Sequence, residues 1–342
     1  MNHVSIGWDI GGAHVKVAVV ENHEIIAVYQ EPCPLWQGLD KLEYAVKTLL
    51  EKIPDQVNQR HAITMTGELV DLFANRHAGV KQIIQTMTQL LAGFDVQIFC
   101  GKSGLLPVLK INETHFDDIA SMNWLVSAAF VAKQFDHCLF VDIGSTTTDI
   151  LWCENGEVLA QGFSDYERLI SHELIYTGIV RTAVMSVVQT VLDNEKYVGV
   201  MAEHFATMAD VYRLTDELSE NHDQTPTADG AEKTIEASAR RLSRMLGDDF
   251  KIEELDRWKR VASDIRKQQL KRIQKSCALF VSNLDQKPTL IGAGIGRFLV
   301  QEIAANLNFD YVDFSSFFQK SHHNLMFNPS DCAPAVAIAF LI

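Results

Sequence analysis

The stretch 141–161, VDIGSTTTDILWCENGEVLAQ, decides the fold, because a second stretch, 8–28, WDIGGAHVKVAVVENHEIIAV, matches it without a gap. Asp9 falls on Asp142, Gly11 on Gly144, Glu21-Asn22 on Glu154-Asn155, Glu24 on Glu157 and Ala27 on Ala160, all at one offset of 133 residues. Each copy alternates apolar and polar residues as paired strands do. The turn between the strands is "ENHE" in the first copy and the hairpin dipeptide Asn155-Gly156 in the second. One chain therefore carries the same strand–glycine turn–strand unit twice, and an internal duplication of this kind predicts two related α/β lobes with a cleft between them.

The sequence around the copies supports that reading. Between them, "LDKLEYAVKTLLEKI" has helical periodicity, "HAITMTG" reads as a strand, "ELVDLFANRHAGVKQIIQTMTQLLAG" as helical, "DVQIFCG" as a strand and "ASMNWLVSAAFVAKQF" as a helix. From Ser164 to about Leu284 there is almost no strand signal and several helices are expected, with "LSENHDQTPTADGAEK" as a polar loop. Strand and helix then alternate again through "PTLIGAG", "IGRFLVQEIAANL" and "FDYVDF" to the closing helix "DCAPAVAIAFLI". The expected organisation is an N-terminal α/β lobe, 1–136, and a C-terminal α/β lobe, 137–342, that holds a helical insertion at about 164–284.

Composition bounds the function. At 342 residues and 47% hydrophobic content the chain has material for two cores. A net charge of −14 argues against nucleic acid, since a phosphate backbone is held by clustered Lys and Arg. The basic run Arg257–Arg272 lies at helical spacing and reads as a solvated face. Six scattered cysteines without a C-x-x-C pair indicate neither a zinc knuckle nor a disulfide framework, and fit a reducing cytoplasm. No basic, apolar leader opens the chain, and the longest apolar run, "PAVAIAFLI", is about half a membrane span. The expectation is a cytoplasmic protein that engages neither membrane nor nucleic acid; a homo-oligomer is compatible with it.

The two glycine turns carry the chemistry. Gly11 and Gly12, followed by Ala13 and His14, let the backbone turn its amides toward an anion. Gly144 takes that place in the second copy, and Ser145, Thr146 and Thr147 add hydroxyls. A carboxylate beside a phosphate cradle repels it unless a cation lies between, so Asp9 and Asp142, expected to face each other across the cleft, point to Mg²⁺. Lys16, on the returning strand, is placed to neutralise phosphate oxygens; Asp149, at the equivalent position, reads as an ordinary polar-face residue. A third turn, "LIGAGIG", with Gly292, Gly294 and Gly296, either receives a flat ring at a helix start or is a plain strand-to-helix turn. In "TMTGELVD", Thr66 is a helix cap or a substrate contact, and Glu68 a carboxylate near the cleft able to act as a base. The insertion offers Thr177 and Arg181 in "SHELIYTGIVRT" and Thr207 and Asp210 in "EHFATMADVYRL"; each is a substrate contact or an ordinary polar helix residue. The histidines lack metal-ligand spacing, and His322-His323 reads as loop.

The two Asp-containing turns together with the late glycine turn resemble the phosphate and adenosine motifs of the actin, hsp70 and sugar-kinase fold, whose lobes are ribonuclease H-like. Within that fold, "DIGGAHVKVA", "TMTGEL", "ASMNWLVSA", "VDIGSTTTDI", "YTGIVRT", "HFATMADVYRL" and "ARRLSRMLG" resemble hydantoinase/oxoprolinase-related proteins linked to one-carbon transfer on tetrahydromethanopterin. The family turn continues Gly-Gly-Ala-Asn-Thr-Lys, and here His14 and Val15 stand at the Asn and Thr places. The resemblance implies a transferase of methanofuran or methylofuran biosynthesis. Its substrates would be aminomethylfuran diphosphate and a phenolic glutamyl acceptor derived from tyramine or tyrosine, with Mg²⁺ as cofactor and no ATP. Asp9 and Asp142 would then hold Mg²⁺, Lys16 and the turn amides would stabilise the leaving diphosphate, Glu68 or Glu173 would take the phenol proton, and Arg181 would recognise the acidic end of the acceptor. The rival readings are an ATP-dependent small-molecule kinase and a non-catalytic actin-like regulator. The regulator is disfavoured by an acidic surface and by the lack of a helix-turn-helix ahead of the first strand.

Overall fold

The first strand, β1 (Val4–Ile10), is apolar along nearly its whole length and ends in Asp9-Ile10 at the Gly11-Gly12 turn. In the computed structural model of the chain, which describes residues 4–53, 59–282, 287–319 and 324–342, β1 is followed by β2 (His14–Glu21), β3 (Glu24–Pro32), helix α1 (Leu39–Lys52), β4 (Gln59–Met65), α2 (Arg76–Leu90), β5 (Asp95–Phe99), β6 (Leu105–Pro107), α3 (Phe116–Ile119) and α4 (Asn123–Ala132). The six strands form one sheet in the order β3-β2-β1-β4-β5-β6. β1, β2 and β3 are an antiparallel meander, whereas β4 runs parallel to β1 and β5 parallel to β4. β1 is buried along nearly its whole length, as a strand covered on both faces is, and β4 beside it is buried too, although it carries the polar side chains of Gln59, His61 and Thr64.

The second copy supplies β7 (His137–Ile143), β8 (Thr148–Glu154) and β9 (Glu157–Val158). There follow α5 (Asp165–Ser171), β10 (Leu174–Ile175), α6 (Val184–Val187), β11 (Thr190–Asp193), β12 (Lys196–Gly199), α7 (Met208–Leu214), α8 (Ile235–Met245) and α9 (Leu255–Val281). The chain closes with β13 (Thr289–Ala293), α10 (Arg297–Leu307), β14 (Tyr311–Asp313) and α11 (Ala333–Ala339). The second sheet has the order β10-β8-β7-β13-β14, with β9 on β8. Sequence reading finds almost no strand signal between Ser164 and about Leu284, but β10 and the two-stranded ribbon β11-β12 lie there. They are two to four residues long, too short for a period-2 pattern to register.

The duplication survives in backbone detail. β7 starts and ends 133 residues after β1, β8 ends 133 after β2, and β9 starts 133 after β3. Both hairpin turns use left-handed residues, Asn22 and His23 with φ 51° and 65°, Asn155 and Gly156 with φ 51° and 83°. Such turns match the right-handed twist of the strands they join. The glycine turns close alike: Gly11 N–H donates to the His14 carbonyl at 3.0 Å and Gly144 N–H to the Thr147 carbonyl at 2.9 Å.

The chain packs as two compact units, one of residues 1–140, 151–168 and 312–342 and the other of residues 141–150 and 169–311. The first unit is built on the first sheet. Ile6, Trp8, Ile10, Val15, Val17, Ile63 and Met65 meet Leu42, Val46 and Leu49 of α1 and Val80, Ile83 and Met87 of α2 in one core. α11 packs on β1, β2 and β4. It approaches so closely that a Cβ on Gly7 would stand 2.1 Å from the Ala335 carbonyl oxygen. The second unit is led by α9, which packs with α7 and α8 around buried Trp258, Ile265, Leu270 and Ile273. All six cysteines are free and buried. Among the described residues no helix is long and apolar enough to cross a membrane.

Candidate active site

In the first unit the end of β1 sets Asp9 opposite Lys16 of β2 on one side and opposite Thr64 of β4 on the other. Asp9 is 4% exposed. Its Oδ1 accepts from Asn123 Nδ2, in the first residue of α4, at 3.4 Å. A carboxylate at a helix N-terminus is favoured by the helix dipole as well as by the bond. Lys16 Nζ donates to the Asp331 carbonyl, just ahead of α11, at 3.1 Å.

The Gly11 turn is walled by the segment after β4. Thr66 N–H donates to the Ile10 carbonyl at 2.9 Å, and a Cβ on Gly11 would lie 3.8 Å from Thr66 Oγ1. Thr66 stands at a helix-capping position without making a side-chain cap, which leaves its hydroxyl directed at the turn. Gly67 packs on Gly11, and a Cβ on Gly12 would meet Val70 at 2.7 Å. Ala13 and His14 are buried, and the carbonyls of Gly12 and Ala13 hold the chain at Leu35 and Cys33.

The neighbouring Glu68 is buried, with Oε1 accepting from Ser121 Oγ at 2.7 Å and Oε2 in no hydrogen bond. Burial raises its carboxyl above the usual range against the opposing effect of the Ser121 bond. Ser121 Oγ also reaches Asp165 Oδ2 at 3.5 Å, and Asp165 pairs with Arg76 of α2.

In the second unit the turn Gly144–Thr147 is held by the segment 177–182. The amides of Ile179, Val180 and Arg181 donate to the carbonyls of Gly144 and Ser145 at 2.9 to 3.0 Å. A Cβ on Gly178 would stand 2.5 Å from Thr146 N. Arg181, exposed, donates to Thr146 Oγ1 at 3.4 Å, and Ser145 Oγ and Thr146 Oγ1 lie 3.4 Å apart. Asp142, half-buried, lies against the late glycine turn: a Cβ on Gly294 would lie 2.4 Å from its Oδ1 and 2.2 Å from the Ile143 carbonyl. Gly294 has φ 78°, so the position excludes a side chain twice over. A Cβ on Gly292 would meet the Tyr311 ring at 2.7 Å and one on Gly296 would meet Ile143 and Ile179 at 2.5 to 2.7 Å, so close packing alone accounts for all three glycines.

Several expected site residues are engaged in holding the fold. The N–H groups of Gly11 and Gly144 close their own turns, so donors to an anion must come from the residues after each of them. Thr177 is fully buried, its hydroxyl taken by Gln269 Nε2 at 2.7 Å. Asp210 is buried and accepts from Arg241 Nε and Ser238 Oγ, both at 2.8 Å, and caps its own helix through Thr207 N–H at 3.0 Å. It anchors an ion network in which Arg213 and Arg241 also reach Asp223 and Asp229. Glu173 is fully buried, and its Oε2 accepts from Ser171 Oγ at 2.7 Å. Sequence reading missed Asn123, whose link to Asp9 spans 114 residues and leaves no local pattern. His322 and His323 lie outside the described residues.

Among the described residues no three His, Cys, Asp or Glu side chains gather as a metal site. Mg²⁺ does not need one, since it is held by one or two carboxylates, waters and substrate phosphates. A strand-end carboxylate beside an amide turn, as at Asp9 and again at Asp142, has the oxygen donors that such an ion takes.

The duplicated strand–turn–strand unit on two sheets makes the protein a member of the actin, hsp70 and sugar-kinase fold. Acetone carboxylase in its nucleotide-free structure superposes with a TM-score of 0.59 at 10% identity, over 99% of this chain and 70% of its own. The hydantoinase/oxoprolinase family model matches residues 59–321, and the chain belongs to that family. It is 33% identical over 249 residues to the (4-{4-[2-(gamma-L-glutamylamino)ethyl]phenoxymethyl}furan-2-yl)methanamine synthase of Methanocaldococcus jannaschii, covering 72% of each chain. The synthase of the same name from Methanococcus vannielii is 33% identical over 124 residues, 36% of this chain and 55% of that one.

Proposed function

We propose that this protein is a methanofuran- or methylofuran-forming transferase, joining the methylene of an aminomethylfuran to the phenol oxygen of a tyramine- or tyrosine-derived glutamyl acceptor. The observation that carries this reading is the 33% identity, across 72% of both chains, to a synthase whose name spells out a phenoxymethyl link between a phenol ring and a furan. Glycine turns flanked by carboxylates suit a substrate activated as its diphosphate. The bond from the methylene carbon to the diphosphate oxygen breaks, that oxygen leaves with the diphosphate, the phenol oxygen bonds to the carbon, and the phenol proton passes to solvent or a base.

In the first unit, Lys16 and the amides after Gly11 are donors able to take anionic oxygens of the leaving group; in the second unit, Ser145 and Thr146 offer hydroxyls to an anion, and Arg181 is the cation for the acidic end of the acceptor. Asp9 in the first unit and Asp142 in the second are each a carboxylate able to hold Mg²⁺, which would supply neutralisation of diphosphate charge when bound. Their backbone setting positions them before substrate arrives, and preorganised groups lose little on reaching the transition state. Thr66, whose Oγ1 would lie 3.8 Å from a Cβ on Gly11, would orient an anionic oxygen at the first turn. The reaction needs no ATP and proceeds in the cytoplasm.

Purified protein with aminomethylfuran diphosphate, Mg²⁺ and γ-glutamyl-tyramine or γ-glutamyl-tyrosine should give the ether adduct by mass spectrometry together with inorganic diphosphate. Formation of ADP from ATP with a phosphorylated small molecule and no ether would make the protein a kinase instead. Mg²⁺-independent binding without turnover of either kind would make it a regulator.

A further inference from the structure

We infer that Glu68 is a positioning residue, which acts through Ser121 to set Asn123 against Asp9. This rests on the reading of Asp9 as part of the anion site. Three observations in the first unit carry it. Ser121 has φ 56°, the left-handed region that serine seldom adopts, so something must hold it there. Glu68 Oε1 takes the Ser121 hydroxyl at 2.7 Å, with both residues buried. Two residues on, at the first turn of α4, Asn123 Nδ2 donates to Asp9 Oδ1 at 3.4 Å.

The position of Glu68 is itself fixed from behind. α2 passes so near that a Cβ on Gly79 would lie 2.5 Å from the Glu68 carbonyl oxygen. Asp165, paired with Arg76 of α2, lies 3.5 Å from the same serine hydroxyl. The chain of contacts thus runs from α2 through Glu68 and Ser121 to the start of α4, and ends on Asp9. A buried carboxyl enclosed this way is poorly placed to take a proton from a substrate, whereas its oxygen is well placed to fix a loop. Asn123 in turn offers a donor that holds Asp9 in one orientation.

Isosteric substitution separates the roles, because glutamine keeps the oxygen that accepts from Ser121 and loses the ability to exchange a proton. Glu68→Gln should retain turnover within about threefold, and Glu68→Ala, Ser121→Ala and Asn123→Ala should each weaken Mg²⁺–diphosphate binding by calorimetry and lower kcat about tenfold or more, with acceptor KM little changed. Thermal melts identify any variant that fails to fold, and Ser121→Asn, which tolerates the left-handed backbone, serves as the second probe of the same contact: it should be less impaired than Ser121→Ala. A folded Glu68→Gln protein without turnover would overturn the inference in favour of a proton-transfer role, as would an Asn123→Ala protein with unchanged Mg²⁺–diphosphate affinity. If Asp9→Asn keeps full turnover and affinity, it is the assignment of Asp9 that fails, a result distinguishable from either of those.

Discussion

The two glycine turns share a backbone and differ in what surrounds it. The first is lined by glycine, alanine and histidine with a buried aspartate, and its supports come from Thr66, Gly67 and α4. The second is lined by a serine and two threonines with a half-exposed aspartate, and its supports are the segment 177–182 and the late glycine turn. Duplication has kept the strand ends and the turn-closing hydrogen bond and has let the side chains diverge. One copy fixes a buried carboxylate, and the other presents hydroxyls and an arginine.

The largest effect should separate the copies directly. Asp9→Asn is expected to cut turnover about 10²–10³-fold, as loss of a preorganised electrostatic group does, with the melting temperature nearly unchanged. Asp142→Asn should cut turnover less, because Asp142 is less deeply buried than Asp9; equal losses in steady-state kinetics would remove the distinction. Next, Gly178→Ala drives a methyl group toward Thr146 N, 2.5 Å from the built Cβ, and should destabilise by about 1–3 kcal/mol in chemical denaturation while raising KM for the diphosphate. An unchanged KM would show that the second turn does not bind it. Arg181→Ala, at an exposed side chain, should raise the KM of one anionic substrate about tenfold, equivalent to about 1.4 kcal/mol, without lowering the melting temperature.

The smallest effect concerns only the first copy. His61 of β4, buried, accepts the Trp8 indole N–H at 3.0 Å on Nδ1, and burial lowers its pKa to about 4 from the ordinary 6.5. Between these values the unfolded chain binds a proton that the folded chain refuses, so stability falls as pH drops from about 6.5 toward 4. The slope is at most about 1.4 kcal/mol per pH unit. Denaturation midpoints followed across that range should flatten in His61→Gln, whose side-chain oxygen can still accept from Trp8. A variant as acid-sensitive as the wild type would assign the slope to other groups.

The fold was legible because a constant offset joined residues that periodicity alone leaves ambiguous. Asn22 and Asn155 read as equivalent turn residues, and both have left-handed backbones. β10, β11 and β12 were not legible, since strands of two to four residues carry no pattern. Thr177 and Asp210 looked like polar helix positions open to a ligand. Their partners Gln269, Ser238 and Arg241 lie 28 to 92 residues away, and only tertiary packing brings them together. Asn123 stood in a recognisable motif, "ASMNWLVSA", but its partner Asp9 could not be guessed from spacing. Sequence reports strand ends and turns well, because those are local; it does not report which polar groups are consumed inside.

The central claim is that substitution occurs at the furan methylene carbon, with the phenol oxygen as nucleophile. Isotopic oxygen tests it most directly: the acceptor is labelled with ¹⁸O at the phenol, and product and released diphosphate are analysed by mass spectrometry. The account predicts that the ether carries the label and the diphosphate carries none. Label recovered in a phosphate ester or in the inorganic phosphate pool, with no labelled ether, would mean that phosphorus is the atom attacked, and would contradict it.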